Sequence, residues 1–172
     1  MSSAVGVRAT VVGDHAAVLA LVRSAFADDT RDGHEEVDIV EQTWALGDGV
    51  GPIDLVAVDH EVIVGHVLGA RGTLEAHTPI AIAPLAVAPE HQGRGVGTQL
   101  MLELLARADH AGWPMAVLLG DPAYYRRFGF EPSGPRGIVY EPVGAGDPHF
   151  QVRPLRAYDA RMRGTFVYCW EQ

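Results

Sequence analysis

The sequence predicts a single α/β domain over residues 1–172, and three observations carry that prediction. β-Branched and apolar runs alternate along the chain with segments of helical periodicity. Residues 55–58 and 62–68 read as two strands joined through Asp59-His60-Glu61, the pattern of a hairpin. An apolar strand ending in Leu85-Ala86-Val87 then leads through residues 88–92 into Gly93, Gly95 and Gly97, followed by an amphipathic helix over 98–111.

In chain order, residues 5–12 read as a first strand. Asp14 is placed to cap a helix in which Val18, Leu19, Leu21, Val22 and Phe26 recur at helical spacing. The polar stretch 28–34 breaks that helix, a second runs over 35–46, and Gly47-Asp48-Gly49 ends it. After the hairpin, residues 80–87 form the next strand. Proline cannot donate to a strand ladder, so Pro84 in its middle requires a bulge or an unpaired edge. Leu100, Met101, Leu104, Leu105 and Ala108 give the 98–111 helix its apolar face, and Gly112 stops it. Residues 115–119 return as a strand, and Pro122 opens a short helix ending near Phe128. Four prolines and four glycines between 131 and 149 exclude long helices there, and residues 165–170 alternate as a final strand.

A chain of 172 residues buries a substantial core without disulfides, and its single cysteine, Cys169, allows no intrachain bridge. That usage fits a reducing, cytoplasmic setting. Residues 1–8 lack the basic start and apolar core of a signal peptide, and the run 80–88 is too short to span a bilayer. No membrane association is expected. A net charge of −9 disfavours nucleic acid as a partner and favours cationic amines. The eight histidines show no i,i+4 pair and no neighbouring cysteine, so no metal site is expected. Trp44, Trp113 and Trp170 read as packing residues.

The glycine segment carries the chemistry. Alternate glycines let backbone N–H groups converge, and a helix N-terminus adds unpaired donors and a favourable dipole, which suits a diphosphate. A Walker-type loop needs a lysine after its last glycine, and Thr98 stands there instead. A dinucleotide fingerprint needs a third glycine where Thr98 lies; Asp121 would otherwise be its ribose ligand. The remaining pattern, Gln92-Gly93-Arg94-Gly95-Val96-Gly97 after a strand ending Leu85-Ala86-Val87, resembles the acetyl-CoA loop of the GNAT superfamily of N-acetyltransferases. Tyr125-Arg126-Arg127-Phe128-Gly129-Phe130 is similar to that superfamily's downstream Tyr-x-x-x-Gly-Phe signature. Together with residues 119–125, it is especially similar to the YhbS-like bacterial branch.

This resemblance implies a mixed, mostly antiparallel sheet flanked by helices and splayed between its fourth and fifth strands. The pantetheine arm of acetyl-CoA would enter the splay beside Leu85, Ala86 and Val87. The pyrophosphate would lie over Gln92, Gly93, Arg94, Gly95, Val96, Gly97 and Thr98, with Arg94 a candidate phosphate partner. It further implies transfer of an acetyl or short acyl group to an amine of a small molecule or peptide, and is compatible with a homodimer. Such a transfer needs a neutral amine, a donor for the developing oxyanion and a proton for the departing thiolate. Backbone N–H groups near Leu85 could supply the second need. Tyr125 stands at the position of the family's thiolate-protonating tyrosine, against the reading of a purely aromatic anchor. For the base, residues 80–87 hold no acid, leaving Glu75, His77 or water, with Glu35 and Glu36 more distant candidates. A non-catalytic acyl-CoA-binding regulator would keep the loop without turnover.

Overall fold

The computed structural model describes residues 4–172, so the first three residues of the segment tested above for a leader lie outside the described residues. A seven-stranded sheet runs in the order β1-β2-β3-β5-β6-β9-β7, beside a three-stranded sheet β4-β10-β8. Its strands are β1 (Gly6–Ala9), β2 (Ile53–Asp59), β3 (Val62–Arg71), β4 (Thr73–Leu74), β5 (Ile80–Val87), β6 (Met115–Leu119), β7 (Glu131–Pro132), β8 (Ile138–Val139), β9 (Phe150–Pro154) and β10 (Gly164–Val167). The helices are α1 (His15–Phe26), α2 (His34–Leu46), α3 (Val96–His110) and α4 (Pro122–Tyr125). Within the large sheet only β5 and β6 pair in parallel; every other pair is antiparallel.

The first strand is shorter than its apolar pattern. The Asp14 carboxylate accepts from Arg8 Nη1 at 2.7 Å and from Val11 N at 2.9 Å, which draws the chain into a turn before α1. Asp14 therefore sits at the N-cap position of α1 without capping it through its side chain. The Arg8 hydrogen bond, then the Val11 N–H, hold its carboxyl down at about 2 against the opposing effect of burial. The hairpin turn is tighter than expected: only His60 and Glu61 lie between the strands, both with positive φ, as a two-residue connection of this hand requires.

Gly65 and Gly69 on β3 let α3 lie close. A Cβ at Gly65 would come within 2.8 Å of Leu100 and 2.9 Å of Val96, and one at Gly69 would meet Leu104 at 3.3 Å. The alternate β3 residues face α1. There the wholly buried His66 places Nε2 2.7 Å from Asp54 Oδ1. Asp54 also accepts from Thr10 Oγ1 and from Trp44 Nε1, each at 2.6 Å, while the Trp44 ring stacks on His15 with centroids 3.7 Å apart. Burial works to raise the Asp54 carboxyl, but His66, by hydrogen bond and charge, together with Thr10 and Trp44, holds it below the ordinary value.

β5 carries the irregularity that Pro84 demands. Val67 opposes Leu85 and Gly69 opposes Ile82, so Ala83 and Pro84 together face the single residue Leu68. On its other side β5 pairs with β6 only through Ile80↔Ala116 and Ala81↔Val117. From Ile82 onward no strand lies between the edge of β5 and β6. These are the fourth and fifth strands of the large sheet, and their divergence is the expected splay.

Four strands come from segments without a strand reading. β9 is the important one, inserted between β6 and β7 with Phe150 and Val152 buried. The final strand is also shorter than 165–170: β10 ends at Val167, and residues Cys169–Glu171 form a 3-10 turn. Phe150, Phe166, Tyr140 and Tyr168 pack there as an aromatic core beneath the small sheet, with Trp170 stacked on Tyr168 at 4.4 Å.

Candidate active site

A cleft of about 510 Å³ opens where the free edge of β5 meets the N-terminus of α3 and the helix α4. Its walls are Leu85 and Val87 from β5, His91 through Thr98 apart from Arg94, and Tyr124, Tyr125 and Arg127. Two motifs some thirty residues apart in sequence thus meet in one cavity.

The loop glycines act for different reasons. Gly93 and Gly95 have φ of 73° and 85°, and a Cβ on either would meet nothing within 4 Å, so the backbone conformation is what selects glycine. Gly95 is the left-handed N-cap of α3, which starts at Val96, two residues ahead of the start read from the sequence. Gly97 lies inside the helix and is selected by space. A Cβ there would come within 2.7 Å of the Tyr124 hydroxyl and 3.6 Å of Val87. The first helical bond at this end is Gln99 N to Gly95 O at 3.0 Å, which leaves the N–H groups of Val96, Gly97 and Thr98 without carbonyls of their own helix. Gln92 folds back instead, its Nε2 donating to Val87 O at 3.1 Å and closing the end of β5. The arrangement is a concave cradle of donors at a helix terminus, which fits a diphosphate.

Asp121 caps α4, accepting from Ala123 N at 2.9 Å, and is thereby committed locally. The cap sets Tyr124 and Tyr125 on the cleft wall. Tyr125 packs against Gly120, where a Cβ would meet its ring at 2.5 Å, and lies edge-on to Phe130 with centroids 6.1 Å apart. Gly129, at φ 85°, turns the chain so that buried Phe128 and Phe130 anchor this wall. The Tyr125 hydroxyl has no hydrogen-bond partner among the described residues. Burial first, then Tyr124 and Asp121, push its pKa up to about 12, so at neutral pH it retains its proton. Burial also raises Tyr124, with Arg127 opposing.

The base candidates lie elsewhere. Glu75 and His77 precede β5, and roughly 15 Å of extended strand separates Ile80 from Leu85. Glu75 Oε1 accepts from Thr165 N at 3.4 Å, and His77 Nε2 stands 3.8 Å from Asp159. Glu35 and Glu36 line a separate groove at the α1–α2 connection. The exposed Arg94 side chain does not line the cleft, while Arg127, which the sequence reading left without a role, does.

Comparison with known proteins agrees with this geometry. The model of the acetyltransferase (GNAT) domain matches residues 53–132. The uncharacterized N-acetyltransferase YhbS of Escherichia coli K12 is 33% identical over 128 residues, 73% of this chain and 72% of the relative. The crystal structure of E. coli YhbS in complex with CoA superposes with a TM-score of 0.84 at 29% identity, covering 98% of this chain and 91% of that one. A GNAT-family acetyltransferase from Brucella melitensis in complex with acetyl-CoA has a TM-score of 0.72 at 25% identity, covering 99% of both chains. The chain belongs to the GNAT family of N-acetyltransferases and is an acyltransferase by class. No helix among the described residues is long and apolar enough to cross a membrane.

Proposed function

We propose that this protein transfers an acetyl or short acyl group from acetyl-CoA to the amine of a small molecule or peptide, by direct attack on the thioester. The observation that carries the reading is the shared cleft: the β5 edge, the loop glycines and Tyr125 line one cavity. Bound acetyl-CoA supplies an activated acetyl group with a thiol as leaving group. Val96, Gly97 and Thr98 offer N–H donors to its pyrophosphate, and the unpaired edge at Leu85, Ala86 and Val87 offers backbone groups to its pantetheine arm. Tyr125, whose hydroxyl has no hydrogen-bond partner among the described residues and keeps its proton at neutral pH, protonates the departing sulfur. With no carboxylate on β5, water takes the proton released by the amine.

The net charge of −9 favours cationic acceptors, which shed a proton before attack. We place this action in the cytoplasm, in keeping with the chain's single cysteine and a reducing setting. The test is release of free thiol from acetyl-CoA across a panel of amines, followed by mass analysis of the acetylated product. Turnover with at least one amine supports transfer. Tight acetyl-CoA binding without thiol release from any amine would instead make the domain an acyl-CoA-binding regulator.

A further inference from the structure

The cleft contains a cation that its motif does not require. Arg127 Nε donates to the backbone oxygen of Tyr124 at 2.8 Å, and its guanidinium carbon lies 4.4 Å from the centroid of the Tyr124 ring. The Tyr124 hydroxyl in turn reaches the space above Gly97, at the helix terminus with the unpaired N–H groups. Guanidinium, phenol ring and helix N-terminus therefore succeed one another across the cleft. One nitrogen and one face of the guanidinium are held by its own chain, and the two terminal nitrogens remain available.

Arg127 also belongs to the arginines of this acidic chain that no carboxylate neutralises. Arg8, Arg31, Arg107, Arg136, Arg156 and Arg161 each pair with a carboxylate, whereas Arg127 pairs with none among the described residues. No acidic residue lines the cleft among the described residues. A fixed, uncompensated guanidinium facing a cradle of N–H donors is matched to a phosphate, which takes its fork in two parallel hydrogen bonds.

We infer that Arg127 is the phosphate-reading cation at the nucleotide end of the coenzyme A site, and that Tyr124 is the platform that aims it. This rests on the assignment of the cleft to coenzyme A. Two phosphates share the required chemistry, the pyrophosphate over the loop and the 3′-phosphate of the adenosine, and the ligands of the test tell them apart.

The experiment is calorimetric titration of the full chain and of Arg127→Gln with CoA and dephospho-CoA, with pantetheine measured by competition. Arg127 is exposed, so the substitution leaves the core untouched. Loss of a charge-assisted contact predicts a CoA affinity about tenfold lower in Arg127→Gln, with pantetheine unchanged and partial recovery in Arg127→Lys. A loss for CoA alone assigns Arg127 to the 3′-phosphate, and a loss for both nucleotides assigns it to the pyrophosphate; either supports the inference. Unaltered CoA affinity in Arg127→Gln overturns it, as does an equal loss for pantetheine, which would make the residue a packing element. If the wild-type chain binds none of the three, the cleft assignment fails and takes this inference with it.

Discussion

The cleft at the N-terminus of α3 and the polar cluster around Asp54 are opposite solutions to placing polar groups inside a fold. In the cleft, groups are left open: among the described residues three helix N–H groups lack a carbonyl of their own helix, β5 and β6 do not pair beyond Ala81, and the Tyr125 hydroxyl has no hydrogen-bond partner. Around Asp54 the carboxylate is enclosed, with Thr10 just after β1, Trp44 on α2 and His66 on β3 all donating to it. The open groups are available to a ligand, and the enclosed ones join β2, β3, α2 and the residue that follows β1. The difference predicts that changes in the cluster act on stability and changes in the cleft act on binding or turnover.

The largest effect is expected at Asp54. Replacing it with alanine leaves three donors without an acceptor, and removing one partner of a buried charged network costs about 3 kcal/mol or more. Urea unfolding of Asp54→Ala should show that loss, with acetyl-CoA affinity of the folded fraction preserved. A marked loss of affinity at native stability would break the contrast.

Next in size is Tyr125→Phe, expected to lower kcat by about 100-fold while leaving acetyl-CoA affinity nearly unchanged, with Tyr124→Phe affecting kcat less. Because the Tyr125 hydroxyl titrates at about 12, its protonation should leave no inflection in the kcat profile between pH 6 and roughly pH 10. Full turnover by Tyr125→Phe with its best acceptor would make the residue structural.

Gly97→Val adds bulk where a Cβ alone comes within 2.7 Å of the Tyr124 hydroxyl. Calorimetry should show acetyl-CoA binding weakened about tenfold, some 1.4 kcal/mol. Undiminished binding in the folded variant would remove this helix turn from the site. Acid provides a gentler test of the cluster. Since the folded state holds Asp54 below its ordinary value, the unfolded chain takes up a proton first as pH falls. Its contribution is complete above the ordinary carboxylate value near 3.9 and is lost as pH falls towards the folded value. The urea midpoint of Asp54→Asn should therefore fall less steeply than wild type below about pH 4. The smallest change, and the one cleft change expected to act on stability, is Gly93→Ala, which meets open space but places a side chain at φ 73°, costing about 1 kcal/mol in urea unfolding.

The glycine loop was legible because its signal is local: conformation at Gly93 and Gly95 depends on their own φ, and the helix that follows announces itself by period. The same holds for Pro84, whose missing N–H forces an irregular strand wherever it packs. What escaped was set by distance. Phe150-Gln151-Val152 alternates too briefly, after a proline- and glycine-rich segment, to stand out as a strand until it pairs with β6 more than thirty residues earlier. Arg94 stood inside the motif and drew the phosphate role, whereas the cation that lines the cleft is Arg127, outside the loop.

By itself the sequence determined the family, the order of the main elements and the loop with its Tyr-x-x-x-Gly-Phe partner, since each depends on residues within one or two turns of one another. Tertiary structure alone decided that Tyr124 fills the space kept by Gly97, that Arg127 faces the cleft, and that Thr10, Trp44 and His66 converge on Asp54. Those contacts join residues tens of positions apart, and only the packing of α2, α3 and α4 against the sheet fixes which side chains meet.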